Sequence, residues 1–283
     1  MALTITSSTY AGEHAGVYIS AALKQAVSLE YMTIVENINY KRVMNKVAGA
    51  NLVKNQSCDF TENSATLTLT ESVLEVKPLQ INIDVCKTTM LADWSGQQED
   101  DFVAYATSYL ASSIADATEA SIWTGSGGTS GQFAGVSATG MSTSSASGAY
   151  TAANIIANLG TLVADIPTTV YMKDDLYIYM NKKTYRFYVE AISALSAFPF
   201  NNMGEYNANY NGVKIAVCSG IPDNKMYAGQ KSNLFFGTSL SSDLTSIQVA
   251  DMSNLDLSNN VRMVAKYTAG VVVGVPSDFT FQS

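Results

Sequence analysis

Residues 95–125 read SGQQEDDFVAYATSYLASSIADATEASIWTG, a segment with a start, a stripe and a stop. Ser95 and Gln98 have capping-box spacing, in which a serine accepts a first-turn N–H and a glutamine three residues on reaches back. Glu99, Asp100 and Asp101 then place negative charge at the positive end of a helix dipole. Phe102, Tyr105, Ala106, Tyr109, Leu110, Ile114 and Ala117 recur at three-and-four spacing, an apolar stripe of roughly four turns. Trp123 and Gly125 mark the exit. The spacing predicts one long, one-sided helix.

Its exit, Trp123–Val136, reads WTGSGGTSGQFAGV and holds five glycines. A phosphate-binding loop needs its glycines between a strand and a helix N-terminus, where free N–H groups point at the anion. Here the order is reversed: the glycines follow a helix C-terminus, whose free carbonyls repel anions. Gly125-Ser-Gly127 carries half of a dinucleotide fingerprint, and Gly128-Thr-Ser130-Gly131 lacks the spacing of a nucleophile elbow. The expected role is structural. The first glycines let the helix stop and the chain reverse, Phe133 and Val136 repack against the body, and Gly135 permits a turn between them.

Working outward, residues 1 to about 15 are small and polar and read as an arm, followed by a helical pattern from Val17 to Met32. Thr66–Thr70 and Ile81–Val85 alternate with period two and read as strands of a long hairpin-like excursion. A two-stranded ribbon alone is marginally stable, so the excursion needs partners in its own body or in another subunit. Gly125–Gly148 reads as a flexible connection or a loosely structured loop pair. Beyond it Ala152–Ala164 reads as a helix, Val170–Met172 as a short strand, and Asp174–Leu195 as helical through Leu176, Met180, Tyr188 and Ile192. Asn201–Asn211 is a polar loop. Val213–Val217, Lys225–Ala228, Asn233–Phe236, Ser246–Ala250, Val261–Tyr267 and Gly270–Val275 read as strands. The class is α+β, without an internal repeat.

Charged residues are only 14% of the 283, and the net charge is −8. Such a surface suits repeated protein–protein packing or an ordinary polar exterior. It does not suit tight nucleic-acid binding, which needs clustered cations; the densest basic run, Lys182-Lys183-Thr-Tyr-Arg186, reads as a solvated helix face. Three widely spaced cysteines, Cys58, Cys86 and Cys218, fit reduced thiols. No apolar run reaches the length of a membrane span. The single histidine, His14, lies in the arm without a triad partner, which removes His-based catalysis and most zinc sites. Glu99, Asp100, Asp101, Asp174 and Asp175 are better explained as helix-start charge than as an acid pair. Tyr105, Tyr109, Tyr185, Tyr188, Tyr206 and Tyr210 suit either interfaces or burial in the same chain. No catalytic, cofactor-binding or metal-binding residue is expected.

The order of pieces resembles the major capsid protein of tailed bacteriophages, the Hong Kong-type fold. The residues that carry it are Cys58-Asp-Phe60 through Thr68-Leu-Thr-Glu71, Val85-Cys-Lys87, Trp94, the helix Gln98–Glu119, and Ile122-Trp-Thr-Gly125 with Gly135-Val136. Met172 and the helix from Asp174, Gly220-Ile-Pro222, Met226-Tyr-Ala-Gly229 and Leu234-Phe-Phe-Gly-Thr238 continue it. The resemblance implies an N-terminal arm (1–35), an extended loop with adjoining strands (45–90), a peripheral domain with a spine helix (91–150), an axial domain (151–245) and returning peripheral strands (246–283). It further implies a non-enzymatic subunit forming the hexamers and pentamers of an icosahedral shell around double-stranded DNA, located in the virion capsid after assembly in the bacterial cytoplasm. Portal and scaffolding proteins are implied partners, with a decoration protein as an option, only weak contact with DNA, and no membrane. No helical, charged leader is read before the arm, so the expectation is that scaffolding is a separate protein or that the leader is already gone, with Met1 favouring the former. Lys46 and Lys54 lie near the loop but match no isopeptide motif, so no covalent chemistry is carried over. The alternatives are a tail-tube, baseplate or surface-layer subunit, or a carboxylate hydrolase built on Asp100, Asp101, Asp174 and Asp175.

Overall fold

The computed structural model describes residues 8–11, 23, 26–50, 53, 66–86, 99–146, 148–194, 209–239, 246–255 and 257–283. Its elements in chain order are β1 Ser8–Ala11, β2 Thr33–Val35, β3 Lys41–Ala50, β4 Thr66–Glu75, β5 Lys77–Cys86, α1 Glu99–Thr124, β6 Ser142–Ser144, α2 Ile155–Ala164, α3 Thr168–Tyr171, β7 Leu176–Met180, α4 Lys182–Ala194, β8 Asn209–Tyr210, β9 Val213–Val217, β10 Met226–Gln230, β11 Leu234–Gly237, β12 Ser246–Asp251, β13 Asn260–Val273 and β14 Thr280–Gln282.

The first sheet is organised along β13. Residues 260–269 pair antiparallel with β5, 261–266 with β12, and 270–273 with β11. β1 adds to β12, and β2 adds in parallel to β11. Period two explains the half-buried part: Val261, Met263, Ala265 and Tyr267 are buried while Arg262 and Lys266 are exposed. From Tyr267 onward every residue of β13 is buried, because the strand there is covered on both faces.

The second sheet runs β6-β14-β10-β7-β9-β8. Ile155, Leu159 and Leu162 of α2, with Tyr188 and Ala191 of α4, form a core with Ile178, Met180, Ile215, Met226 and Ala228 of the sheet. A second core joins the two sheets through the end of α1. Ile122 and Trp123 pack there with Tyr179 and Tyr227 from the second sheet and Ile247, Ala265 and Tyr267 from the first. The Trp123 ring lies 5.3 Å from that of Tyr179 and 4.9 Å from that of Tyr227.

Several elements differ from the sequence reading. Most of Val17–Met32 lies outside the described residues; Leu23 is helical, and from Ala26 to Met32 the chain makes a single 3-10 turn, Val27–Tyr31, before β2. Thr66–Thr70 and Ile81–Val85 do not pair with each other: β4 pairs with β3, whereas β5 pairs with β13. Alternation reveals which face of a strand is covered, not which strand covers it. Val170–Met172 is not a strand, since Thr168–Tyr171 is a helical turn started by Pro167. Leu176–Met180 is not helical but a central strand, because a short apolar run fits either structure until its partners are known. The helix begins one residue later, where the Asn181 side chain accepts the Thr184 N–H at 2.7 Å. Val261–Tyr267 and Gly270–Val275 are one strand, β13, and not two. β14, beyond the last strand read from the sequence, pairs with β10 and β6 in the second sheet.

Candidate assembly interface

β3 and β4 form a two-stranded ribbon of ten rungs, from Lys41 opposite Glu75 to Ala50 opposite Thr66. Its inner face is fixed to the body. Leu74 is fully buried with Ile38, Val76 and Val272, Ser72 Oγ donates to Gly274 O at 2.7 Å, and Lys46 Nζ meets Asp278 Oδ2 at 3.0 Å. Met44, Lys46, Phe235 and Val275 border a cleft of about 370 Å³ beneath it. The outer face carries Val43 directly opposite Val73, with Leu69 four residues further along β4 and Tyr40 at the root. They are 50%, 46%, 58% and 65% exposed. The Lys41–Glu75 pair at 2.9 Å lies next to the Val43–Val73 rung, and its hydrogen bond raises the Lys41 pKa. Along that face Asn45 opposite Glu71 stands between the Val43–Val73 pair and Leu69, so the exposed apolar side chains alternate with polar ones.

The exit of α1 is a loop held by main-chain hydrogen bonds. Gly125 N donates to Ser121 O at 3.0 Å, Gly135 N donates to Gly125 O at 2.8 Å, and Ser126 bridges to Ala134. Phe133 and Val136 are buried, as their apolar character requires. Gly135 is there for space and not for a turn: its φ is −88°, and an added Cβ would lie 2.5 Å from Ser121 O. At Gly125 the same atom would lie 2.1 Å from Phe133 O. Lys77 Nζ of β5 donates to Gly127 O at 2.8 Å and Gln132 O at 3.0 Å. The loop thus turns carbonyls toward a cation, whereas a phosphate cradle presents N–H groups.

The acids singled out from the sequence are not brought together as a described site. Glu99, Asp100 and Asp101 stand in the first turn of α1. Asp175 does not open a helix; it accepts from Gln230 Nε2 at 2.9 Å and from the Ser232 N–H and hydroxyl. Desolvation opposes ionisation there, but these donors lower the Asp175 pKa overall. Asp84, on β5, takes a bidentate pair from Arg262 at 2.8 Å, which lowers its pKa. His14, Lys54, Cys58, Trp94, the Ser95–Gln98 cap and Tyr206 lie outside the described residues. Tyr188 is buried, donates to Asn209 O at 2.7 Å and packs against Tyr185 and Tyr210, so these three serve their own core. Tyr109 is 55% exposed. Among the described residues no three of His, Cys, Asp and Glu gather as a metal site, and no helix is long and apolar enough to cross a membrane.

One residue the sequence reading passed over is Glu119, 5% exposed on α1. Its carboxylate accepts from Ser28 N at 3.0 Å, Ser28 Oγ at 2.6 Å and Gly220 N at 3.1 Å. The Trp123 indole N–H donates to Ser28 Oγ at 2.7 Å. Nearby, burial pushes the Cys218 thiol up to about 12, with the Glu119 charge adding and a Ser28 hydrogen bond opposing. The signal for Glu119 was its place between Ile114, Ala115, Thr118 and Ile122, the face that is buried, while Tyr109 and Ala117 of the expected stripe are exposed.

No protein-family model matches the chain, and no curated protein matches it by sequence. Solved structures do. A structure from Gordonia phage Cozz matches with a TM-score of 0.63 at 14% identity, over 91% of this chain and 86% of that one. The capsid of the Myoviridae phage XM1 matches with a TM-score of 0.60 at 13% identity, over 100% and 95%. A virus-like particle from Pyrococcus furiosus matches with a TM-score of 0.56 at 10% identity, over 95% and 98%. At these identities the likeness establishes the fold, which is the Hong Kong-type capsid fold.

Proposed function

We propose that the chain is the major capsid protein of a tailed bacteriophage, a non-enzymatic subunit that self-assembles as hexamers and pentamers into an icosahedral shell enclosing double-stranded DNA. The observation that carries this reading is the correspondence with the XM1 capsid along 100% of the chain. The exposed side chains Tyr40, Val43, Val73 and Leu69 support it, since a two-stranded ribbon with apolar residues left in solvent needs a partner surface. In this reading 1–35 is the arm. The extended loop is the ribbon between Lys41 and Glu75, narrower than 45–90, and β5 belongs to the peripheral domain. The spine helix is α1, and the second sheet with α2 and α4 is the axial domain, which also takes β14. Portal and scaffolding proteins are the proposed partners. Contact with DNA is weak, because a chain of net charge −8 has few cations with which to release phosphate counterions. The place of the subunit is the virion capsid, after assembly in the bacterial cytoplasm.

Electron microscopy of the expressed chain, alone and with candidate scaffolding proteins, tests the reading. Closed shells built of hexamers and pentamers are expected. Tubes or flat sheets, or a monomer under every condition, overturn it.

A further inference from the structure

Ser28, Glu119 and Gly220 come from segments 91 and 101 residues apart, and they meet on one carboxylate. Ser28 lies in the turn Val27–Tyr31 at the root of the arm, Glu119 on α1, and Gly220 in the turn that follows Cys218. A buried carboxylate is costly unless it is well supplied with donors. Here the donors are neutral: two main-chain N–H groups and one hydroxyl. Oε1 is shared, taking the short bond from Ser28 Oγ and the bond from Gly220 N. The serine hydroxyl therefore holds Oε1 in place beneath the Gly220 amide. The contact is also close in the main chain, since a Cβ on Gly220 would lie 2.1 Å from Glu119 O.

We propose that Glu119 is a three-way latch, through which the seating of the arm root at Ser28 and the seating of the Gly220 turn are coupled. When Ser28 leaves, Oε1 loses the bond that orients it, and the Gly220 amide loses its acceptor. The value of the latch rests on the shell reading: an arm drawn toward a neighbouring subunit pulls on Ser28 and loosens a turn of the axial domain. The coupling itself is a property of the single subunit.

Hydrogen-exchange mass spectrometry on the full-length, unassembled chain tests it, with Ser28→Ala, Glu119→Gln and the double variant. Ser28→Ala is expected to speed exchange of the Gly220 amide about tenfold while leaving the amides of β10 at the parent rate. Glu119→Gln gives a similar increase, and the double variant gives less than the product of the two. An unchanged Gly220 amide in Ser28→Ala, or an equal rise in β10 that reports general loosening, overturns the latch. Shell formation is imaged separately, so the latch can fail while the shell reading stands, and the reverse.

Discussion

Replacing Trp123 by alanine separates a core shared by the two sheets from a mere contact between them. The indole is fully buried, touches the rings of Tyr179 and Tyr227, and donates to Ser28 Oγ at 2.7 Å. Truncating a buried tryptophan costs about 3–5 kcal/mol in lost transfer energy and cavity formation. Each aromatic pair adds about 0.5–1.5 kcal/mol beyond area. The hydrogen bond contributes less, because Ser28 Oγ keeps its bond to Glu119. The expected loss is about 4 kcal/mol, and about 1–3 kcal/mol for Trp123→Phe, which retains a ring. Met172→Ala, at a side chain 84% exposed, serves as the control and should stay within about 0.5 kcal/mol. Urea unfolding of the unassembled subunit, followed by circular dichroism at matched concentrations, measures all three. A Trp123→Ala variant within about 1 kcal/mol of the parent would refute a shared core centred on this residue.

Gly125→Ala forces a Cβ to 2.1 Å from Phe133 O, a main-chain atom, and should cost about 3 kcal/mol, whereas Gly128→Ala meets nothing within 4 Å and should be neutral; thermal melts of the pair check the difference. Alkali should unfold the protein progressively above pH 9. Desolvation raises the Cys218 thiol from 9.0 and the Tyr227 phenol from 10.0, each to about 12, and the Tyr179 phenol well above its usual value. These protons stay on the folded chain after the unfolded chain has released them. Stability is therefore intact below pH 9 and falls between 9 and 12, by about 1.4 kcal/mol per pH unit for each group titrating only in the unfolded state. Urea midpoints at pH 7, 8.5 and 10 measure the fall, and a flat profile counts against burial of these groups.

The sequence made α1 legible because its signals agree along many turns, and the structure places a helix over Glu99–Thr124. It made β9, β10 and β11 legible to within a residue or two, because apolar runs there are bounded by Gly, Pro and Asn, and β12 by its alternating apolar residues. What it hid was pairing. Nothing local in Ile81-Asn-Ile-Asp-Val85 states that its partner lies near residue 263, and nothing in Leu176–Met180 tells a buried strand from a buried helix. Glu119 was hidden for the opposite reason. A charged residue is assigned to solvent by default, and its donors, Ser28 and Gly220, are remote in sequence. The glycines of the exit were recognised as structural, but Gly135 answers to crowding, which only the folded backbone displays.

Between β4 and β5 the chain leaves strand geometry for a single residue, Val76, buried and tied through its N–H to Tyr40 O at 3.0 Å. The ribbon and the first sheet are therefore stitched by one nearly unbroken extended segment. Strand hydrogen bonds run perpendicular to the chain, so a tension passed along β4 into β5 loads its ten rungs with β13 together, in shear, instead of peeling them apart one by one. A tug on the tip of the ribbon is borne by the strongest direction of the sheet.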